Sequence, residues 1–269
     1  MKIDILICTY NEGIVRAVNI LMPYHPDVKY KISHQVTKEE YRFIPEEFEE
    51  RADVRISQIS SAGLSKNRNN ALAMAEGDIC FIADDDVKYD MDIVLKVAEY
   101  FKTVSELDVF VGRIKTYDGE PAYKKYKVWQ SKLGWKDIGG VSSIEMVLKR
   151  EVIRKNHIRF DDHFGIGGNL FPKGEEAVFL SDCLRNKLHI VYFPEFIVKH
   201  SCQSSCSHIV YSEEEAKYMG ALNRRIFKWL AYPNGILFGI KHFKRYKKNM
   251  TFMEFIQAYY KGIQMVKYQ

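Results

Sequence analysis

The chain has 269 residues, 46% hydrophobic and 28% charged, which suits one large α/β domain or a domain with an appendage. It holds no low-complexity tract or repeat, no run of about 18 apolar residues that would span a membrane, and no cleavage-type leader ahead of its first apolar run. The net charge of +5 hides an asymmetry: residues 216–269 hold 11 Lys/Arg and one acid, Glu254, leaving 29 Lys/Arg against 34 Asp/Glu elsewhere.

Residues 3–8 read as a first strand, followed by strand-like runs at 29–33, 54–59, 78–83 and 108–114. Helical stretches lie between them, clearest at 66–75 and 91–104. This alternation predicts a mostly parallel sheet covered by helices, with ligands beyond the carboxyl ends of the strands. Residues 116–141 carry Asp118-Gly119-Glu120-Pro121, Trp129, Trp135 and Gly139-Gly140 and read as a long, lid-like excursion. Order resumes with 144–149, a loop at 160–168, a helix over 175–187 and a strand at 189–193. The tail from residue 212 reads as helical. Ser212 with Glu215 and Thr251 with Glu254 both fit a capping box, and Phe252, Ile256, Tyr259, Ile263 and Val266 share one face of the last helix. Of five cysteines, Cys8 and Cys80 sit inside apolar strands, which fits a reducing, cytoplasmic setting.

The most telling motif is Asp84-Asp85-Asp86, closing the apolar run 79–83. In an extended chain Asp84 and Asp86 face one way and Asp85 the other. Paired carboxylates there suit a hard divalent cation, magnesium or manganese, carrying a diphosphate; the plainer alternative is a solvated acidic turn. After the first strand, Thr9-Tyr10-Asn11-Glu12 offers a ring to stack on a base and a carboxylate to accept its hydrogen bonds; the plainer alternative is that Asn11 only caps a helix. Gly63 opens a strand-to-helix junction whose backbone N–H groups suit an anion, and Arg68 beyond it can reach a nucleotide or an Asp. Glu175 and Glu176 start a helix; one is a plausible general base, or both only complement the helix dipole. His200, after a strand-like run, can add a nitrogen ligand to the same cation.

In this order, these motifs resemble the inverting nucleotide-sugar glycosyltransferases of family 2, over roughly residues 3–200. The resemblance implies an α/β fold of the GT-A type, with a Rossmann-like, mostly parallel sheet. It places a catalytic domain at 1–205, its nucleotide-binding half at 1–115 and its acceptor-side half at 116–205, followed by a helical extension at 206–269. It implies a UDP-type sugar donor and a Mn2+ or Mg2+ ion. By position, Tyr10 and Glu12 match the nucleoside-binding segment, with Thr9, Gly63, Arg68 and Asp85 beside the nucleotide. Asp84 matches the aspartate near the ribose, Asp86 the metal-binding aspartate, His200 the histidine of the metal site, and Glu176 the base, with Glu175 as its rival. Two departures stand out: the second strand ends in Ser33-His34-Gln35 where the family commonly has an Asp pair, leaving Gln35 to meet the base, and the base is Glu where Asp is usual.

Trp129, Trp135, Asp161 and Asp162 are expected around a glycan or polyprenyl-linked acceptor, as in assembly of surface polysaccharide. The basic tail 216–269, with Phe227, Trp229, Leu230, Tyr232, Ile236, Leu237 and Phe238, suggests contact with an anionic membrane at the cytoplasmic face, or simple packing on the domain. Rival readings are a sugar-nucleotide pyrophosphorylase, disfavoured because the first loop holds a single glycine, and a zinc or nucleic-acid binding module built on His200, Cys202, Cys206 and His208, whose spacing departs from zinc fingers. The basic region carries no nucleic-acid motif, so no nucleic-acid partner is expected. A binding-only relative is the third, against which the retained acids speak.

Overall fold

A computed structural model describes residues 1–202 and 212–266. The chain divides into two compact units, Met1–Cys202 and Gln203–Gln269.

In the first unit the elements run β1 (Ile3–Tyr10), α1 (Ile14–Ala17), β2 (Val28–Gln35), α2 (Glu46–Glu49), β3 (Val54–Ile59), α3 (Leu64–Met74), β4 (Ile79–Asp84), α4 (Met91–Thr103), β5 (Val109–Lys115), β6 (Ser131–Lys132), β7 (Met146–Lys149), α5 (Arg150–Lys155), α6 (Glu175–Arg185) and β8 (Ile190–Lys199). The strands form one sheet in the order β3-β2-β1-β4-β7-β5-β8-β6. Pairs β1–β2, β1–β4, β2–β3 and β5–β8 are parallel. β1 and β4 are apolar on both faces because helices cover both sides, as buried parallel strands require. The strand order reverses direction at β1, whose neighbours are β2 and β4. Ligands of open α/β sheets sit at such a point. The register there sets Cys8 beside Asp84 and Tyr10 beside Gln35, so their following loops emerge together.

The sheet is less uniformly parallel than the alternation predicts. Residues 146–149 enter as β7, antiparallel to both β4 and β5. The excursion 116–141 is tied to the sheet and differs in this from a free lid. β6 pairs with β8, Tyr126 donates to Glu145 at 2.8 Å, and Tyr192 donates to the Lys127 carbonyl at 2.7 Å.

The second unit contains α7 (Glu213–Phe227), α8 (Ala231–Tyr246) and α9 (Phe252–Met265). Its core is built from Ala216, Ala231, Tyr246, Phe255, Tyr259 and Ile263, among others. Thr251 and Glu254 form a reciprocal capping box. Ser212 caps α7 through Glu215 N alone. The buried face of α9 is centred on Phe255, Ile256, Tyr259 and Ile263, so Phe252 and Val266 lie at its margin. Among the described residues, no helix is long and apolar enough to cross a membrane.

Candidate active site

α3 is a polar helix by composition, yet it buries Ser65, Asn67 and Arg68. Its side chains are ties, not core: Asn67 donates to the Thr9 carbonyl at 2.9 Å, Asn69 to the Phe160 carbonyl at 2.8 Å, and Asn70 to Ser33 Oγ at 2.8 Å. Anchored in this way, α3 delivers Arg68, 2% exposed, to the carboxyl end of β4. Arg68 Nη1 donates to Glu175 Oε1 at 2.9 Å, and Nη2 donates to Asp84 Oδ1 at 3.2 Å and Ser143 Oγ at 2.6 Å. Glu176 Oε1 lies 3.6 Å from Nη1, and the guanidinium covers the Phe160 ring. One cation therefore gathers Asp84, the first residue of the acidic triplet, and the glutamate pair, about ninety positions apart in the chain, into one cluster. Burial opposes its charge, but Asp84, Glu176 and Glu175 more than restore it, so its pKa stands above the ordinary value.

The two glutamates differ in setting. Glu175 is buried against Arg68, whereas the Glu176 side chain keeps 21% of its surface open. Burial, and then the negative charge of Glu175, raise the Glu176 pKa to about 7. Gly174, in the left-handed region at φ 94°, turns the chain into α6 immediately before this pair. Arg68 Nε and Glu175 Oε2 are buried and find no protein partner among the described residues.

The triplet is not extended throughout: β4 ends at Asp84, and Asp85 and Asp86 stand in a turn beyond it, each carboxylate with its own partners. Asp85 turns away from Asp84 and is buried: it accepts from Thr9 Oγ1 at 2.7 Å and from Arg16 Nη2 at 2.9 Å. A Cβ at Gly13 would collide with it. Burial raises the Asp85 pKa against the pull of those two donors. Asp86 Oδ1 instead faces His200 Nε2 at 3.3 Å. A short antiparallel bridge, Lys88 with Lys199, sets these two side by side. The His200 hydrogen bond holds the Asp86 carboxyl below its usual range and, reciprocally, raises the imidazole pKa. His200 Nδ1 lies 2.6 Å from the Ser201 carbonyl. It is thereby fixed as a donor, leaving Nε2 for Asp86 or a cation.

This oxygen–nitrogen pair fits a divalent ion of the magnesium or manganese class, which typically takes one or two protein ligands and completes its shell with phosphate and water. Among the described residues, no group of three or more His, Cys, Asp or Glu forms a closed protein site. The alternative zinc cluster falls partly outside the described residues. His200 faces Asp86, the Cys202 amide donates to Glu120, and Cys206 and His208 lie outside the described residues.

Several residues expected at a nucleotide have other partners. At the α3 N-terminus, Leu64 N donates to the Ile166 carbonyl at 2.8 Å, and Ser65 Oγ to the Phe164 carbonyl at 2.7 Å. Gly63, at φ 112°, accepts from Gln35 Nε2 at 3.0 Å, so Gly63 and Gln35 brace each other. Arg68 and Asp85 are committed to carboxylates and to Thr9 and Arg16, as described above. Asn11 is no helix cap. At φ 48°, it holds Thr37 through Oδ1 and Nδ2. Tyr10, half exposed, and Glu12, exposed, are open to a ligand. Beside them, beyond β2 and β3, a cleft of about 370 Å³ is lined by Thr37, Lys38, Glu39, Arg42, Ser60 and Ser61. None of these was singled out from sequence; their signal was position alone, directly after two strand ends.

Of the residues expected around an acceptor, Trp129 is 62% exposed. Trp135 lies under the Arg185 guanidinium. Asp161 accepts from the His163 amide at 3.1 Å and pairs with its ring, and Asp162 accepts from Asn69 at 3.2 Å. Both aspartates therefore organise the 160–168 loop.

Comparison with known proteins bears on the fold and the family. Three crystal structures of TarS from S. aureus share the fold. Residues 1–349 in complex with UDP-GlcNAc align with a TM-score of 0.69 at 16% identity, covering 98% of this chain and 82% of that one. The same segment without that ligand aligns at 0.64 and 16% identity, covering 96% and 81%. The longer TarS chain aligns at 0.66 and 17% identity, covering 96% of this chain but 49% of TarS. No curated protein matched the sequence. The model of the family described as "Glycosyl transferase family 2" matches residues 4–169, more than half of the chain and nearly all of β1 through the loop before α6. The chain therefore belongs to glycosyl transferase family 2.

Proposed function

We propose that this glycosyltransferase moves a sugar, with inversion, from a UDP-type nucleotide donor to a hydroxyl of a glycan or polyprenyl-linked glycan, working at the cytoplasmic face of a membrane in surface polysaccharide synthesis. The carrying observation is the convergence of Asp84, Glu175 and Glu176 on Arg68, with Asp86 and His200 adjoining through the triplet. The TarS complex with UDP-GlcNAc supports a nucleotide sugar as donor.

The cleft beyond β2 and β3, with Tyr10 and Glu12 at its side, takes the nucleoside. Thr37, Ser60 and Ser61 supply hydroxyls, and Lys38 and Arg42 supply positive charge. These groups stand in for the Asp pair that β2 lacks. Asp84 lies toward the ribose. Asp86 and His200 would hold the divalent ion, which when bound supplies positive charge against the leaving diphosphate. Glu176, partly exposed and with its pKa raised by burial and by Glu175, takes the proton of the acceptor hydroxyl. The acceptor oxygen bonds to the anomeric carbon from the far side, and the carbon–phosphate oxygen bond breaks. The nucleoside diphosphate leaves with that electron pair. Arg68 and Glu175 are positioning residues: they fix where Glu176 and Asp84 stand. Trp129, exposed on the tethered excursion, offers an apolar face to the acceptor.

The direct test is Asp86→Ala. It should bind the nucleoside but lose metal-stimulated transfer, and near-normal, metal-dependent turnover by that variant would refute the metal assignment.

A further inference from the structure

α8 uses its faces in an unusual way. It packs inward through small residues. Ala231, Gly235 and Gly239 are its buried positions, and Tyr246 closes its end. A Cβ at Gly235 would meet the Tyr259 ring at 2.6 Å, and one at Gly239 the Phe252 ring at 2.9 Å. The glycines are therefore the contact surface with α9. Phe238 stacks inward on Phe255, but the large aliphatic residues point the other way. Leu237 is 65% exposed, Ile240 63% and Ile236 46%, and Trp229, just before the helix, is 68% exposed. A helix of a water-soluble domain normally buries its large apolar stripe and exposes the polar one.

The charge pattern completes the argument. Residues 228–248 contain six Lys/Arg and no Asp/Glu. Lys241, Lys244, Lys247 and Lys248 are exposed at the end of α8. A 16-residue helix is shorter than the roughly 20 apolar residues a span needs. A large apolar stripe flanked by lysines instead suits a helix lying in the interface plane. A second copy of the same face would bring like charges together, which disfavours self-association. We propose that the outer face of α8, led by Trp229, Leu237 and Ile240, seats this protein on an anionic lipid surface, with the lysines against the headgroups. This deepens the membrane-side reading given above, but lipid binding alone measures it, so failure here and failure of the transfer reaction are separable.

The test is flotation of the full chain with vesicles of phosphatidylglycerol and phosphatidylcholine, against phosphatidylcholine alone, at low salt and at about 0.5 M salt. The wild type should float with the anionic vesicles and be released by salt. Lys244→Glu/Lys247→Glu/Lys248→Glu should weaken partitioning by about 100-fold. Leu237→Ser/Ile240→Ser should weaken it by about tenfold or more. Nucleotide-dependent stabilisation of the first unit should be unchanged in both variants. Absence of wild-type flotation would overturn the proposal, as would equal flotation by both variants. So would a dimer in sedimentation that Leu237→Ser/Ile240→Ser dissolves without vesicle binding by the wild type, because the face would then join copies of the chain.

Discussion

At the scale of single residues, the adjacent glutamates make opposite predictions. Glu176→Gln removes the proton acceptor but keeps the shape, so transfer should fall by about 100- to 10,000-fold while the donor still binds. Glu175→Gln leaves the acceptor in place and removes one cause of its raised pKa. In the wild type, kcat/KM should fall about tenfold per pH unit below neutrality, because Glu176 must be ionised to work. In Glu175→Gln that limb should move to lower pH. If Glu175→Gln is instead the inactive variant, the base has been misassigned. Arg68 is a different case. Replacing it with Met leaves Glu175 buried without a cation, and breaking a buried pair from one side costs about 3–5 kcal/mol. Denaturant unfolding of Arg68→Met should show a loss of that order. The acidic triplet and the glutamate pair were legible as sequence motifs. Their meeting point was not, because Arg68 draws partners from β4, from Ser143 ahead of β7, and from α6. No local pattern records that three distant segments share one guanidinium.

At the scale of elements, periodicity located the strands and the long helices, α3 included, to within a few residues, but it did not show what α3 does, because tertiary ties there replace amphipathicity. α3 buries polar side chains, so its role as a bracket for the loops after β1 and before α6 has no apolar signature. β7 is four residues long, too short for its antiparallel insertion between β4 and β5 to be read from sequence. The first amide after Gly63 is taken by the Ile166 carbonyl, a contact made across about a hundred positions. Glycine, by contrast, carried meaning that composition concealed. Gly220 and Gly262 let α7 and α9 approach until backbone meets backbone: a Cβ at Gly220 would strike the Tyr259 carbonyl, and one at Gly262 the Lys217 carbonyl. Gly220→Ala should therefore cost about 1–3 kcal/mol through overpacking. Hydrogen exchange of the α7 and α9 amides should speed up accordingly, with β1 and β4 unaffected. Unchanged exchange in α7 would mean that the close approach contributes nothing to stability.

At the scale of the whole molecule, two units with separate cores carry two kinds of surface. The first gathers acids beyond its strand ends; the second gathers lysines and exposed apolar side chains on one helix. This is the asymmetry that charge counting already indicated, now assigned to different bodies. A ligand that binds only the folded first unit stabilises it by mass action, about 2.7 kcal/mol at roughly 100 times its Kd. A panel of nucleotide sugars with and without manganese should therefore reveal one donor that slows exchange at the β1 and β4 amides, more strongly with metal. Asp86→Ala should keep the nucleoside's share of that protection and lose the metal's share, because Thr37, Ser60 and Ser61 lie in a different loop set from Asp86 and His200. Loss of both shares together would mean that Asp86 organises the whole cleft, and no loss would place the ion elsewhere. The same panel separates donor class from acceptor class: on this reading donor binding should draw on residues at the ends of β1 to β4 and on His200 beyond β8, whereas Trp129 and the loop at 160–168 should matter only once an acceptor is added.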